Sequence, residues 1–467
     1  MAQPHQDLME STLLTQQEKS NCMPILNKEE AQALLKKVLS YSKADECEVN
    51  INGGDNGNIR YALNAVSTSG GVSQNQLVVQ SAYGKKSGVA TINEFDDASL
   101  EKVVRRAEEL AKLAPDNPEY VSILGPQTYE ADSKTYEPAT ANIDPKFRAD
   151  AVQKSLQIAK DNNLTAAGFL ENSTGFAAMM NSKGLFAYNL STNVNFNVTL
   201  RTAEGTGSGY AIRGYTDAGK LDVETITKVA AKKATGSVGA KAIEPGKYTV
   251  ILEPAAGMVL VEQLVGSLDA RQAEEGRSFL SKADGKTKLG EKIVDERVMI
   301  YSDPHNADLP TATWNGDGRP QEKINWINKG VVENLFYSRY WAEKKNVKAI
   351  PGPDAFIMNG GTATLEDLIK STEKGILVTK LWYIRNVDPQ TLLYTGLTRD
   401  GTFYIENGQI KFPIKNFRFN ESPAIMLNNV DAFGIPERIV STESNTHALI
   451  PPMKLRDFTF TSLSDAI

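Results

Sequence analysis

At 467 residues the chain is long enough for two to four domains, and its 41% apolar and 23% charged residues are those of an ordinary globular protein. No stretch approaches the roughly 20 apolar residues of a membrane span, and a net charge of −6 gives none of the basic footprint of a nucleic-acid binder. The two cysteines, Cys22 and Cys47, are too few for a disulfide framework and read as reduced thiols of a cytoplasmic protein.

Residues 1–27 lack a basic start followed by an apolar block, so they are no secretory signal and are expected to form a disordered leader. In 28–42, Ala31, Leu34, Leu35, Val38 and Leu39 recur at helical spacing. ECEVNI, NIRYALNAVS and QLVVQSAYGKKSGVATI alternate in polarity and read as strands separated by Gly/Asn turns. DDASLEKVVRRAEELAKLA closes this N-terminal α+β unit, 28–115, as a helix with acids first and bases later, as the helix dipole prefers. Residues 116–142, rich in Pro, Tyr and acids, read as a linker. A second α+β unit, 143–242, repeats the order. It has a helix with Pro145 near its first position, the strands FLENS, FAAMMNS, LFAYNLS and TNVNFNVTLRT, and a closing helix LDVETITKVAAKKATG. Asp96, Leu100, Lys102 and Val103 match Asp222, Ile226, Lys228 and Val229 in spacing, which suggests that the two units are related.

After Pro245-Gly246 the chain turns strand-rich, giving a β-rich C-terminal domain over 243–467. KINWINKGVVENLFYS and GTFYIENGQIKFPIK read as hairpins, the second around Asn407-Gly408, a type I′ signal. SRYWAEKKN and ATLEDLIKST read as short helices, and LIPPMKLRDFTFTS as a closing strand. GMVLVEQLVGSL, 257–268, follows the apolar run YTVIL and reads as the one strongly buried helix, with Met258, Val261, Leu264, Val265 and Leu268 inside. The fold class is therefore α+β. Two helix-flanked antiparallel units precede a β-rich domain with one buried helix.

Catalytic equipment is sparse. Of the three histidines, His5 is in the leader, His447 in a polar loop, and His305 between Asp303 and Asp308. Asp303, His305 and Asp308 could be drawn as a metal site, but they follow no zinc spacing, and a Pro/Asn/Asp cluster is first of all a turn. Neither His305 nor His447 lies near a defined nucleophile, as a serine triad needs. GTGSGYAIRG, 205–214, lacks the Lys-Ser/Thr of a phosphate loop and is better read as a flexible or hairpin segment. Cys47 begins a strand, where nothing activates a thiolate. The strand-to-helix junction at 253–268 carries one acid, Glu262.

Several stretches occur together and in order. They are YGKKSGVATINEFDDASLEKVVRRAEELA, ENSTGFAAMMNSKG, AAGMVLVEQLVGSL followed by EGRSFL and LGEKI, NGDGRPQEKINWINKGVVENLFYSRYWAEK, FYIENGQIK and PPMKLRDFTFTS. On these the chain from about residue 28 resembles the TldD/PmbA family, the modulators of DNA gyrase. That resemblance implies a metalloprotease-like domain. TldD-type members carry His-Glu-x-x-x-His on the helix corresponding to GMVLVEQLVGSL, with a C-terminal cysteine as a further zinc ligand. Here the motif positions are Val261, Glu262 and Gly266, and no cysteine follows Cys47. The pattern resembles the PmbA/TldE branch. It implies a chain without zinc or other cofactor, inactive by itself, paired with a homologous TldD-type subunit that holds the zinc. The implied substrates are unfolded peptides, in peptide maturation and antitoxin turnover, with an indirect link to gyrase and no direct contact with nucleic acid or membrane. Alone, the chain is expected to form a homodimer. Two other readings stay open: a self-sufficient metallopeptidase using Asp303, His305 and Asp308, and a non-proteolytic protein that captures peptides by strand addition.

Overall fold

A computed structural model describes residues 24–131 and 133–464. His5, Cys22 and most of the expected leader lie outside the described residues. Its last positions are packed: Leu26 is buried, and the Tyr188 hydroxyl donates to its carbonyl at 2.8 Å.

Both N-terminal units run helix, three strands, helix. The first comprises α1 (Lys28–Ser40), β1 (Glu46–Ala62), β2 (Ala65–Tyr83), β3 (Lys86–Ile92) and α2 (Asp97–Leu113). The second comprises α3 (Pro145–Asp161), β4 (Leu164–Asn181), β5 (Phe186–Thr202), β6 (Ser208–Tyr215) and α4 (Val223–Gly236). Side chains fix the helix starts. Asn27 and Glu30 form a reciprocal capping box on α1, and Asp96, Asp144 and Asp222 accept backbone N–H bonds at the other three. The strands join into one antiparallel sheet, β3-β2-β1-β4-β5-β6, in which the first strands of the two units pair with each other. Alternation puts Val49, Ile51, Leu77 and Val79 under α1 and α2. The same face of β1 then carries Ile59 and Tyr61 under α3 and α4.

The Gly/Asn stretches that read as turns are strand interior. β1 passes without a break through Gly53, Gly54 and Gly57, and β4 and β5 each fuse two expected strands. The glycines answer to neighbours that are distant in sequence. A Cβ on Gly54 would stand 2.3 Å from the Thr174 carbonyl oxygen, and one on Gly57 would stand 2.2 Å from the Arg148 guanidinium. The segment 205–214, expected to be flexible or a hairpin, becomes β6. Among its described residues the linker region adopts no extended strand but is fastened to its surroundings. Tyr120 donates to Glu46 at 2.5 Å, Thr135 to the Leu190 carbonyl at 2.7 Å, and Tyr129 to the Gly318 carbonyl at 2.8 Å in the C-terminal domain.

The C-terminal domain holds β7 (Gly246–Leu252), α5 (Pro254–Gly266), β8 (Ile300–Ser302), β9 (Ile324–Asn328), β10 (Val331–Val332) and β11 (Phe356–Met358). Then come β12 (Lys374–Asp388), β13 (Leu393–Glu406), β14 (Gln409–Pro413), β15 (Phe417–Glu421), β16 (Val430–Phe433), β17 (Glu437–Val440), β18 (His447–Ile450) and β19 (Met453–Leu463). The expected hairpins are β9–β10 and β13–β14, and Asn407 and Gly408 both have positive φ, as a type I′ turn requires. Pairings β12–β7–β19–β15–β13–β12 close into a ring, with the aromatics Phe417, Phe419, Phe458 and Phe460 packed together. A second, mixed sheet runs β10-β9-β8-β11-β18-β17. Helix α5 lies between them, touching β7 and β12 on one side and β17 and β18 on the other. That position explains why most of its surface is apolar, with Glu262 and Gln263 on the one half-buried side.

Candidate functional site

The end of β7 feeds α5 through Glu253, with Pro254 at the first helical position, so the helix starts three residues earlier than the sequence reading placed it. Met258, Val261, Leu264, Val265 and Leu268 are all buried, as their spacing required. Glu262 leaves the helix on its half-buried side. Its carboxylate accepts a hydrogen bond from Ser441 Oγ at 2.8 Å and another from Ser444 Oγ. Both serines belong to the tight loop 441–446 between β17 and β18, which is closed by the Ser441 N–H donating to the Thr446 carbonyl at 2.8 Å. Glu262 is thus held by two hydroxyls 179 and 182 positions away in sequence, and nothing in its own neighbourhood signals them.

The flanking positions differ sharply. Val261 has no exposed surface and sits within the main core. Gly266 is exposed, and a Cβ built there would meet nothing within 4 Å.

Asp303, His305 and Asp308 do not come together as a metal site. Asp303 pairs with Lys323 at 3.1 Å, His305 Nε2 faces Glu130 at 2.8 Å, and Asp308 pairs with Lys220 at 3.3 Å. Asp303 also accepts the His305 backbone N–H at 3.1 Å, the turn bond expected of such a cluster. Among the described residues, no three His, Cys, Asp or Glu side chains converge in a way that could hold a metal ion. His447, at the start of β18, is a neutral imidazole at physiological pH. Burial and the charge of Arg438 push its pKa down to about 4.

Two features escaped the sequence reading. A hollow of about 900 Å³ opens between α4, β6 and the C-terminal domain, walled by Tyr210, Ile226, Leu365, Phe403 and Ile435. At its edge Lys233 of α4 pairs with Glu253 at 2.6 Å, which ties the start of α5 to the central unit. Lys380 lies behind it, over the Tyr210 ring and 3.3 Å from Asp400. Burial lowers its pKa, and the Asp400 charge opposes that shift. No local signal in the sequence marked Lys233, Glu253 or Lys380, because each is defined by a partner 20 or more positions away.

The chain is thus a helix-flanked sheet followed by a β-rich domain that encloses one buried helix, with a single acid, Glu262, on that helix. The chain matches three successive profiles of one family: PmbA/TldA metallopeptidase domain 1 over 47–111, the central domain over 138–238 and the C-terminal domain over 245–462. It belongs to the PmbA/TldD family. It is 21% identical over 432 residues to metalloprotease MJ0996 of Methanocaldococcus jannaschii, covering 87% of this chain and 92% of that protein. It is 22% identical over 287 residues to a metalloprotease of Methanothermobacter thermautotrophicus, covering 56% of this chain and 61% of that relative's length. In fold it is similar to TldE from Thermococcus kodakarensis, with a TM-score of 0.83 at 20% identity over 92% of this chain and 99% of the other. Among the described residues, no helix is long and apolar enough to cross a membrane.

The family's metallopeptidase character raises zinc, and the donor set around α5 does not fit it. A catalytic zinc site takes about three protein ligands from imidazole, thiolate and carboxylate groups. Here Val261 offers no donor, Gly266 no side chain, and the loop over the helix offers two serine hydroxyls already committed to Glu262.

Proposed function

We propose that this chain is the non-catalytic subunit of a TldD-type heterodimeric zinc metallopeptidase acting on unfolded peptides in the cytoplasm. The carrying observation is the pair Val261 and Gly266 on either side of a Glu262 that is capped by Ser441 and Ser444. In a TldD-type partner the two helix positions would be histidines, with a cysteine near the C-terminus as a further ligand. In this chain the loop 441–446 binds Glu262 and leaves it a structural acid, because a carboxylate needs a metal-bound water within reach to act as a base there. Such a chain has a use if it shapes its partner's site. A peptidase must keep folded proteins from its metal, and a second subunit of the same fold supplies another wall of the chamber. Pairing through the C-terminal half, and a homodimer when the partner is absent, follow from the preference of like folds for closed two-fold contacts. The acidic net charge of −6 fits an indirect link to gyrase without DNA contact.

The test mixes this chain with a homologue carrying an intact His-Glu-x-x-x-His and follows cleavage of an unfolded peptide together with sedimentation. Cleavage should require both chains, and they should sediment as one species. A homologue that is fully active alone, and unchanged in rate and sedimentation when this chain is added, would sink the subunit reading.

A further inference from the structure

Where the two N-terminal units join, the sheet face turned away from α1–α4 carries a hollow of about 580 Å³. Alternation along β1 turns Val49, Ile51, Ile59 and Tyr61 toward the helices, so Asn52, Gly54 and Asn56 point the other way. The register across β2, β1, β4 and β5 sets Gln74, Gly54, Gly175 and Ser191 in one row. Its two glycines give the hollow a floor of bare backbone. Gln76, Asn52 and Asn189 stand in the row on one side, and Asn56 and Ser173 in the row on the other. Asn52 and Asn56 are about 13 Å apart along their strand, which leaves a trough as wide as one extended chain. Four strands spaced by about 4.8 Å make it about 14 Å long, the reach of about four extended residues.

The lining is neutral throughout. It is built mainly of amides and hydroxyls, and no charged side chain among the described residues borders it, in a chain of which 23% is charged. Asn52, Asn56, Gln74 and Gln76 are exposed and make no side-chain hydrogen bond to any described residue. Each therefore offers one carbonyl and one NH2 group to whatever lies in the trough. Without a cation the trough has nothing to hold a phosphate backbone. The one aromatic in the lining, Phe176, is 3% exposed and gives a sugar ring no face to stack on. A side-chain amide has the donor and acceptor of a peptide group and pairs with one whatever the sequence.

We propose that this trough holds an extended stretch of polypeptide by its backbone, laid across the strands between two rows of side-chain amides. Asn189 and Ser191 also border a smaller hollow of about 260 Å³ that reaches Asn445 and Thr446. Those two residues belong to the loop whose serines hold Glu262. The trough therefore leads toward the helix with the altered ligand positions. Backbone binding by this chain does not depend on its serving as a peptidase subunit, and a failure of either leaves the other standing.

The test is calorimetric titration of the full chain, without a partner, with the capped neutral peptide Ac-Ala-Ser-Ala-Thr-Ala-Ser-NH2, a scrambled order of the same residues, the first peptide N-methylated at alternate residues, and maltohexaose. The first two should bind within about threefold of each other, and salt between about 50 and about 500 mM should leave both unchanged, as a neutral site requires. N-methylation removes backbone donors and should weaken binding by about tenfold or more. Gly175→Val fills the floor. A Cβ there meets only the Gly53 carbonyl oxygen at 3.4 Å and Ser191 Oγ at 4.0 Å, so the fold should tolerate it, and binding should fall by about tenfold or more. If that variant melts early, the double variant Asn52→Ala, Asn56→Ala, at two exposed positions, puts the same question to the walls. No binding of the capped peptides, an N-methylated peptide that binds as well as its parent, or affinity undiminished in both variants would overturn the proposal. Maltohexaose binding that Gly175→Val removes would assign the trough to a sugar and overturn it too.

Discussion

Exchanging the two residues that flank Glu262 should have opposite effects on stability. Gly266 has ordinary helical backbone and open space where a Cβ would stand. Gly266→Ala should therefore stabilise the protein by about 0.5–1 kcal/mol, mostly by restricting the unfolded chain. Val261 has no exposed surface. Val261→His forfeits roughly 1.5–3 kcal/mol of apolar burial and leaves a ring nitrogen without a partner, about 1–3 kcal/mol more. The expected loss is thus about 3–5 kcal/mol, with overpacking adding to it. Urea denaturation followed by tryptophan fluorescence isolates the relevant domain, because all four tryptophans, Trp314, Trp326, Trp341 and Trp382, lie in the C-terminal part. A Val261→His variant of unchanged midpoint, or a Gly266→Ala variant that loses more than about 1 kcal/mol, would mean that α5 faces the other way and that the site has been misplaced. If the expectation holds, steric hindrance does not keep a ligand from position 266, whereas position 261 has been absorbed into the core. Restoring a metal site would then require repacking around 261.

Four further outcomes follow. Elemental analysis of the purified chain should find no stoichiometric zinc; about one tightly held zinc per chain, lost on mutating His305 or Glu262, would contradict the reading of the donor set. Leu264→Ala should cost about 2–5 kcal/mol in the same urea assay, as a fully buried core truncation does, and a loss well under 1 kcal/mol would make the helix peripheral. Gly54→Ala, which drives a methyl into the Thr174 and Gly175 backbone, should cost about 1–3 kcal/mol, whereas Gly71→Ala, with its nearest atom at 3.5 Å, should be tolerated; equal effects in thermal denaturation would contradict the strand register. Acid should act in two windows. The folded pKa of His447, about 4 against an ordinary 6.5, favours the neutral form, so its contribution is complete above 6.5 and is lost as pH falls from 6.5 to 4. Burial alone would raise the Glu46 pKa, but hydrogen bonds from Lys183, Ser122, Tyr120 and the Ile123 N–H hold it at about 2 against 4.5. Its contribution is therefore present above 4.5 and is lost between 4.5 and 2. His447→Gln should erase the upper window in urea midpoints measured against pH and leave the lower one; an unchanged upper window would refute its assignment.

The buried helix was legible because its apolar run follows a strand; its first turn, hidden behind Glu253-Pro254, was missed, and the reading to Leu268 overran its end at Gly266 by two residues. The four capped helices of the N-terminal half were legible for the same local reasons, as was the Asn407-Gly408 turn. Gly53 to Gly57 misled, because glycine in a strand looks like a turn until the Thr174 backbone and Arg148 are known to press on it. The hydroxyls on Glu262, the Lys233–Glu253 pair and the bond from Arg438 to Thr216 all depend on partners distant in sequence, and a lone basic or acidic residue does not announce its partner.

The three family segments, 47–111, 138–238 and 245–462, look like units that could be expressed one at a time. The seam between β1 and β4 argues against cutting there. It runs from Glu48 opposite Asn181 to Tyr61 opposite Gly168, and the one strand β1 floors two separate hydrophobic clusters. A fragment ending before residue 116 would keep α1 and α2 on their cluster but would turn the whole inner side of β1 into a bare edge, an invitation to intermolecular pairing. The complementary fragment would lose Ile59 and Tyr61 from beneath α3 and α4. The first two segments should therefore melt as one cooperative body, with the divisions visible in the sequence marking changes of pattern within a shared sheet.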